Sequence, residues 1–280
     1  MILIDYSGVA VSSILGSMFG EKAQPLSLGL ARHIILKSIS KYNLQFKKKY
    51  GNIVITCDSK HYWRKDIFPY YKCKRAKARD DSEIDWNIVY EYVNTVKEEL
   101  TEWMPWPVLE VYGAEADDII MTLVPKTNGE NVMIISRDHD LKQLQTFPHV
   151  EQYNPVEDRM EVCEDPSRFI FDHVVKGDVG DSIPNIWSVE NSFALGIRQK
   201  PATQKRIDPI WNNGNITVPD ELRDRYILNE KLVAYYSIPP DLKINILEEY
   251  NKQSGKKKDI LKYFMKYRLV NLMDSIQDFV

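Results

Sequence analysis

Short apolar runs that end in an acid, separated by stretches with helical patterning, constrain this chain more than any other feature. Ile2 to Asp5 reads ILID and Asn52 to Asp58 reads NIVITCD, both with the apolar, β-branched density of buried strands. Between them, Ser27 to Lys49 carries Leu28, Leu30, His33, Ile34, Ile35, Ile39, Tyr42 and Phe46 at helical spacing, with Ser27 as the N-cap. Asp85 can cap a further helix to about Trp103, with Ile88, Val89, Tyr92, Val93, Val96 and Leu100 as its apolar stripe. Pro107 to Tyr112 then reads as a strand, Glu115 to Leu123 as a helix and Val132 to Ser136 as a strand. This alternation predicts an α/β fold with a mostly parallel central sheet flanked by helices, which collects ligands at the carboxyl ends of its strands. After about Asp165 helical patterns dominate, over Pro166 to Lys176, Pro219 to Ala234, Asp241 to Tyr250 and Lys258 to Leu272. Asn191 to Asn215 is the poorest in periodicity. The expected division is an α/β domain over residues 1–164 and a helical region over residues 165–280.

The acids fall at the places where such a sheet gathers ligands. They are Asp5; Asp58; Glu115 with Asp117 and Asp118; Asp138 with Asp140; and Asp178 with Asp181. Singly, each is explained as a turn residue, an N-cap or a partner of a helix dipole. Together they would share one crevice, and two carboxylates 4 Å apart repel by about 4 kcal/mol at an effective dielectric near 20. A bound cation is therefore required. The donors are all oxygens, with no Cys and no His at ligand spacing, which points to magnesium or manganese rather than zinc. His139 lies between Asp138 and Asp140 but, by strand alternation, should face away from them. The oxygens suffice for two ions, the arrangement that activates a water and stabilises the leaving oxygen in phosphodiester hydrolysis.

Net charge −3 is not that of a typical nucleic-acid binder, yet the cations are concentrated. Between Lys60 and Arg79 lie Lys60, Arg64, Lys65, Lys72, Lys74, Arg75, Lys77 and Arg79 against the single acid Asp66, interleaved with Tyr62, Trp63, Phe68, Tyr70 and Tyr71. Such a block is a candidate surface for phosphate contact and base stacking, or else a solvated charged face. Hydrophobic content of 44% argues against disorder, and no apolar stretch approaches the roughly 20 residues that span a bilayer. The expectation is a soluble, cytosolic chain without membrane contact. Cys57, Cys73 and Cys163 are widely spaced and suggest neither a disulfide framework nor a zinc site.

Asp5 in ILIDYS, Asp58 in ITCDSK, Glu115-Ala116-Asp117-Asp118, Ser136-Arg137-Asp138-His139-Asp140 and Lys176-Gly177-Asp178-Val179-Gly180-Asp181 resemble, in order, the acidic motifs of the flap endonuclease and 5′-nuclease family. The similarity runs over most of the chain. WRKDIFPYYKCKRAKAR and Asn271 to Phe279 look most like its phage ribonuclease H branch. The resemblance implies a PIN-like 5′-nuclease fold, a basic helical arch at about residues 60–85 and a helical C-terminal region containing a divergent helix-three-turn-helix. It implies that Asp5, Asp58, Glu115, Asp117, Asp138 and Asp140 hold metal directly or through water, with Asp118, Asp178 and Asp181 in the second site or its outer shell. The cofactor would be two Mg2+ ions, with Mn2+ able to substitute. Tyr71, Lys72 and Arg75 match the arch signature, and Lys72 and Arg75, one helical turn apart, would draw the scissile phosphate toward the metals.

Arg64, Lys65, Lys74, Lys77 and Arg79 would contact nucleic acid. The segment after Ile186 reads WSVENSFALGIRQKPATQKR with Gly196 as its single glycine, so Arg198, Lys200, Lys205 and Arg206 would replace a glycine-rich duplex grip by side-chain contacts. The implied activity is 5′ to 3′ exonuclease and flap endonuclease cleavage of RNA–DNA and DNA duplexes, removing lagging-strand RNA primers in phage DNA replication within the cytoplasm of the infected host. Implied partners are 5′-ended or flapped duplexes, a sliding clamp and a single-strand DNA-binding protein, around a monomeric enzyme. The apolar Leu272, Ile276, Phe279 and Val280 are either a docking peptide or a tail folded onto the core. Two other functions remain open from the residues: a non-catalytic structure-specific DNA-binding replication protein, and a phosphatase using Asp138 and Asp140.

Overall fold

The computed structural model describes residues 1–19, 25–212, 214–253 and 259–279, apart from the side chains of Lys77 and Ala78. β1 (Ile2–Asp5) runs straight into α1 (Tyr6–Phe19), followed by α2 (Leu28–Tyr50) and β2 (Ile53–Cys57). α3 (Trp63–Ile67) and α4 (Cys73–Asp80) occupy the basic block, and α5 (Trp86–Trp103) leads to β3 (Val108–Glu110). α6 (Ala116–Leu123) and β4 (Val132–Ile135) are followed by a 3-10 helix over His139–Thr146, then β5 (Val150–Asn154) and β6 (Arg159–Glu161). The strands form one sheet in the order β3-β2-β1-β4-β5-β6, parallel except for antiparallel β6. Strand order reverses between β1 and β4, which opens a crevice at the carboxyl ends of those two strands.

The sheet is covered on both faces, which is why β1, β2 and β4 are continuous apolar runs rather than alternating ones. Ile2 and Ile4 face a core built with α1, α2 and α5, while Leu3 faces a second core with α6 and the 3-10 helix. Ser27 and Asp85 cap α2 and α5 as expected: Ser27 Oγ accepts from Leu30 N, and Asp85 Oδ1 accepts from Asn87 N and Ile88 N. α1 carries serines, glycines and valines and no charge, so propensity gives it away poorly. Packing holds it instead, through buried Tyr6, Val9, Ala10 and Ile14 and the Tyr6 hydroxyl, which donates to Val93 O at 2.7 Å.

Beyond the sheet come α7 (Pro166–Lys176), α8 (Ser192–Leu195), α9 (Gln204–Ile207), a two-stranded ribbon of β7 (Trp211–Asn212) and β8 (Asn215–Ile216), and α10 (Asp220–Val233). α7 and α10 build a third core with Ile183, Ile186 and, from the basic block, Phe68 and Tyr71. The segment expected to be a divergent helix-three-turn-helix contains α8 and α9, with Gly196 in the left-handed region at φ 67°.

α11 (Pro240–Gln253), α12 (Ile260–Lys266) and α13 (Val270–Met273) return to the sheet. Leu242 and Ile246 join the α6 face, whereas Tyr263, Phe264 and Leu272 join the opposite one, so the helical region expected over 165–280 does not pack as a separate body. Gln253 also blunts the edge of the sheet by exchanging hydrogen bonds with Val108 N and O at 3.0 and 2.8 Å. The helix expected from Lys258 to Leu272 is broken into α12 and α13 around Arg268 at φ 53°, with Lys258 outside the described residues.

The C-terminal tail is part of the core. Phe279 is fully buried against Trp106 and Phe264, and Leu272 is buried, so neither serves as a free docking peptide; Val280 lies outside the described residues. Phe279→Ala is expected to cost about 3–5 kcal/mol of unfolding free energy, measured by denaturant melts. An unchanged midpoint would mean that the tail is not packed in solution.

Candidate active site

Three adjacent parallel strands deliver the first acids. Asp5 ends β1, Asp58 follows β2 by one residue, and Asp138 follows β4 across the sequence Ser136-Arg137. Asp5 Oδ1 accepts from Gly8 N at 3.0 Å, and Asp5 Oδ2 accepts from Ser136 Oγ at 3.0 Å, which bridges the switch between β1 and β4. A Cβ on Gly8 would lie 2.4 Å from Asp5 Oδ2, so any larger residue there would push the carboxylate out of this position. Asp58 Oδ1 accepts from Ala116 N at 2.9 Å and so docks the start of α6, whose first turn brings in Asp117. Asp138 Oδ1 caps the 3-10 helix through Asp140 N at 2.9 Å. Gln152, fully buried on β5, donates to Ser136 O and Asp138 O and holds that loop in place.

Asp178 and Asp181 enter on a tight turn after α7. Asp178 Oδ1 accepts from Asp181 N at 2.7 Å, and the turn is closed by hydrogen bonds between Asp178 and Ile183. Gly177 sits at φ 68°, where a Cβ would be 2.2 Å from Ile183 O, so no other residue fits.

The nine acids divide by what compensates them. Arg64 is 4% exposed and its Nη1 reaches Asp118 Oδ1 at 2.8 Å and Glu115 Oε2 at 3.1 Å, while its Nε donates to Leu232 O at 2.7 Å. Tyr71, also 4% exposed, donates to Glu115 Oε2 at 2.8 Å or Asp181 Oδ2 at 2.6 Å. Lys72 Nζ contacts Glu115 Oε1, and Arg75 Nη2 reaches Asp181 Oδ1 at 2.7 Å. Among the described residues, Asp5, Asp58 and Asp117 form no ion pair, and Asp138 has only His139 Nδ1 at 3.8 Å.

Charge without a partner shows in the protonation. Burial, and then Asp58, push the Asp5 carboxyl up to about 6; burial, and then Asp140, push Asp138 up to about 7. Burial, Asp138 and Asp5 hold Asp117 well above the carboxylate range. Around Lys72 burial favours the neutral amine, but Asp181 and Glu115 overcome it and keep the ammonium charged.

Several expectations need correcting. Arg64 and Tyr71 are not surface contacts for nucleic acid: both are buried, with their polar atoms spent on Glu115, Asp118 and Asp181. Asp118 has its oxygens engaged by Arg64, Trp63 Nε1 at 3.2 Å and Glu115 N at 2.9 Å, an arrangement that suits the outer shell of a metal site, one of the two places expected for it. His139 does not face away. The chain turns helical at His139, so alternation fails there, and His139 Nε2 lies 3.3 Å from Asp140 Oδ1 and 3.2 Å from Asp178 Oδ2. His173 of α7, missed in sequence, reaches the same two oxygens at 2.9 and 3.2 Å. His-x-x-x-x-Asp before the last acidic pair was the one signal for it, and it is too common to act on.

Lys65, Lys74, Arg75, Arg79, Arg198, Lys200, Lys205 and Arg206 are exposed; the Lys77 side chain lies outside the described residues. Lys74 Nζ lies over the Phe193 ring at 5.0 Å, joining the basic block to α8. The two neighbouring acids of α6 should behave oppositely in stability measurements without divalent ions. Asp118→Ala leaves the buried Arg64 guanidinium short of its partner and is expected to cost about 3–5 kcal/mol. Asp117→Asn removes an uncompensated carboxylate and is expected to leave the melting temperature unchanged or raise it.

Residues 24–170, just over half the chain, match the family model described as 5′-3′ exonuclease, N-terminal resolvase-like domain. The chain is 33% identical to the ribonuclease H of Enterobacteria phage T4 over 99% of its own length and 95% of that protein's. It is 29% identical to a 5′-3′ exonuclease of Aquifex aeolicus, over 66% of this chain and 64% of the other. Its fold matches the flap endonuclease of bacteriophage T5, solved with DNA and metal ions, with a TM-score of 0.61 at 16% identity over 91% of this chain and 99% of that one. The chain thus belongs to the 5′-3′ exonuclease family of nucleases.

Proposed function

We propose that this chain is a divalent-metal-dependent 5′-nuclease that cleaves DNA and RNA–DNA duplexes at 5′ ends and flaps, with RNA primer removal in phage replication as its task. One observation carries the reading: half-buried carboxylates without a cationic partner among the described residues converge at the carboxyl ends of β1, β2 and β4 and open toward exposed cations. The donor set fits hard ions. Asp5, Asp58, Asp117 and Asp138 supply only oxygens, and the proton affinity that burial gives Asp5 and Asp138 is what a bound cation would relieve. Magnesium there, with manganese as a substitute, would generate a nucleophilic hydroxide and stabilise the leaving oxygen.

The chain's own groups do the rest. Ser136, Gly8 and Gln152 fix the carboxylates before substrate arrives. Lys72 and Arg75, already beside Glu115 and Asp181, are placed to hold the scissile phosphate and offset its growing negative charge. Exposed Lys65, Lys74, Arg79, Arg198, Lys200, Lys205 and Arg206 supply backbone contacts, so affinity should fall steeply with salt. The phage T4 relative supports the ribonuclease activity by its name and near-complete coverage. A sliding clamp or single-strand DNA-binding protein would have to dock away from the buried C-terminal tail.

Incubating a 5′-labelled flap substrate with and without Mg2+ tests the proposal. Asp138→Asn is expected to slow cleavage by roughly 10³-fold or more, as several kcal/mol of charge stabilisation is lost, while flap binding is retained. Full activity in EDTA, or an unimpaired variant, sinks it.

A stability measurement checks the same electrostatics. The Asp138 carboxyl is pushed up to about 7 in the folded chain against 3.8 for a free aspartate side chain, so its stabilising contribution is present below about pH 4 and is lost as pH rises toward 7. In EDTA, Asp138→Asn should therefore melt higher than the native chain at pH 8, with the gap closing toward pH 4. Saturating Mg2+ should narrow or reverse the gap at pH 8.

A further inference from the structure

His139 and His173 come from different elements, the 3-10 helix after β4 and α7, yet both aim Nε2 at the same two oxygens, Asp140 Oδ1 and Asp178 Oδ2. The four nitrogen-to-oxygen separations are 3.3, 3.2, 2.9 and 3.2 Å, and all four atoms lie within 4.8 Å of one another. Ligands held at the roughly 2.0–2.2 Å typical of imidazole and carboxylate around a tetrahedral ion are spaced by about 3.3–3.6 Å.

Closeness alone would also suit imidazolium groups paired with carboxylates, and a second observation favours an ion. Asp140 Oδ1 and His173 Nε2 are both buried and lack a hydrogen-bond partner, although they are 2.9 Å apart. Their separation is that of an ion pair, but the geometry between them is not that of a hydrogen bond. Unsatisfied buried polar atoms are uncommon, and an ion bound between them is one recognised cause. His173 is held in this orientation by the Phe169 ring, stacked on it at 5.6 Å with 15° between planes.

We propose that His139, Asp140, His173 and Asp178 form a mixed nitrogen–oxygen metal site that prefers a first-row transition ion to magnesium. This rests on the metal-dependent reading of the crevice and deepens it: the two ion positions would differ in chemistry, one all-oxygen around Asp5, Asp58, Asp117 and Asp138, the other softened by two imidazoles. Imidazole binds manganese weakly and cobalt and zinc progressively better, whereas magnesium favours oxygen. The site therefore selects cobalt or zinc over manganese and magnesium when they are offered singly.

The test is titration of the purified full chain with Co2+ and with Mg2+, by calorimetry and, for Co2+, by its visible ligand-field spectrum. The native chain should give a Co2+ spectrum of low-symmetry, nitrogen-containing coordination. His139→Gln/His173→Gln should weaken Co2+ binding at this site by about 10–100-fold and change its spectrum, with Mg2+ binding altered less than about 3-fold. His139 is more than half exposed, so His139→Gln alone spares the fold and should show a smaller loss in the same direction. An unchanged Co2+ isotherm and spectrum in these variants overturns the histidine ligation and, with Mg2+ still bound, leaves the metal-dependent nuclease standing. If the native chain shows no saturable binding of either ion, both readings fail.

Discussion

Mutual repulsion among carboxylates is the constraint around which this molecule is arranged. A parallel sheet whose strand order reverses between β1 and β4 brings their carboxyl ends together, and the chain places acids at those ends and at the start of α6. Each carboxylate must then be neutralised by a proton, a cationic side chain or an ion. The structure uses the first two in different sectors of one crevice. Glu115, Asp118 and Asp181 are compensated by Arg64, Lys72 and Arg75, whereas Asp5, Asp117 and Asp138 are driven to hold protons. That asymmetry distinguishes carboxylates that build the site from those left to work in it.

The basic block is tied to this arrangement at its root. Phe68 and Tyr71 insert into the core formed by α7 and α10, and Arg64 binds α6 and the end of α10. Lys72 sits in the left-handed region at φ 56°, its N–H donating to Asp181 O at 2.8 Å. Such a conformation is costly for a lysine and persists only because the surrounding contacts enforce it. The exposed cations of α4 are thus mounted on a base fixed by the acids themselves, which couples the surface for phosphate to the centre that would cut it.

Much of this was legible in the sequence because the signals were periodic or local. Buried strands read as apolar runs, α2 and α5 announced their caps, and the acids fell at strand ends. The parts that escaped depend on tertiary context. α1 lacks charge and propensity, and β5 carries the polar Gln152 inside the sheet, where it supports the Asp138 loop. A basic residue in a basic block looks exposed, yet Arg64 is drawn inward, because only the folded chain puts Asp118 within reach. The convergence of His139 and His173 required both the helical turn after Asp138 and the docking of α7, neither of which spacing reveals.

The hydrogen bond from Asn43 of α2 to Asp278 O joins residues 235 positions apart, and the Phe279 ring beside it closes the same core. Loop closure over such a span is entropically late, so contacts of this kind lower folding rate more than they raise stability. Until the C-terminal segment arrives, the part of α2 that it covers stays unshielded. Newly made chains therefore pass through an interval of sticky incompleteness, in which a nearly finished sheet waits for its farthest piece.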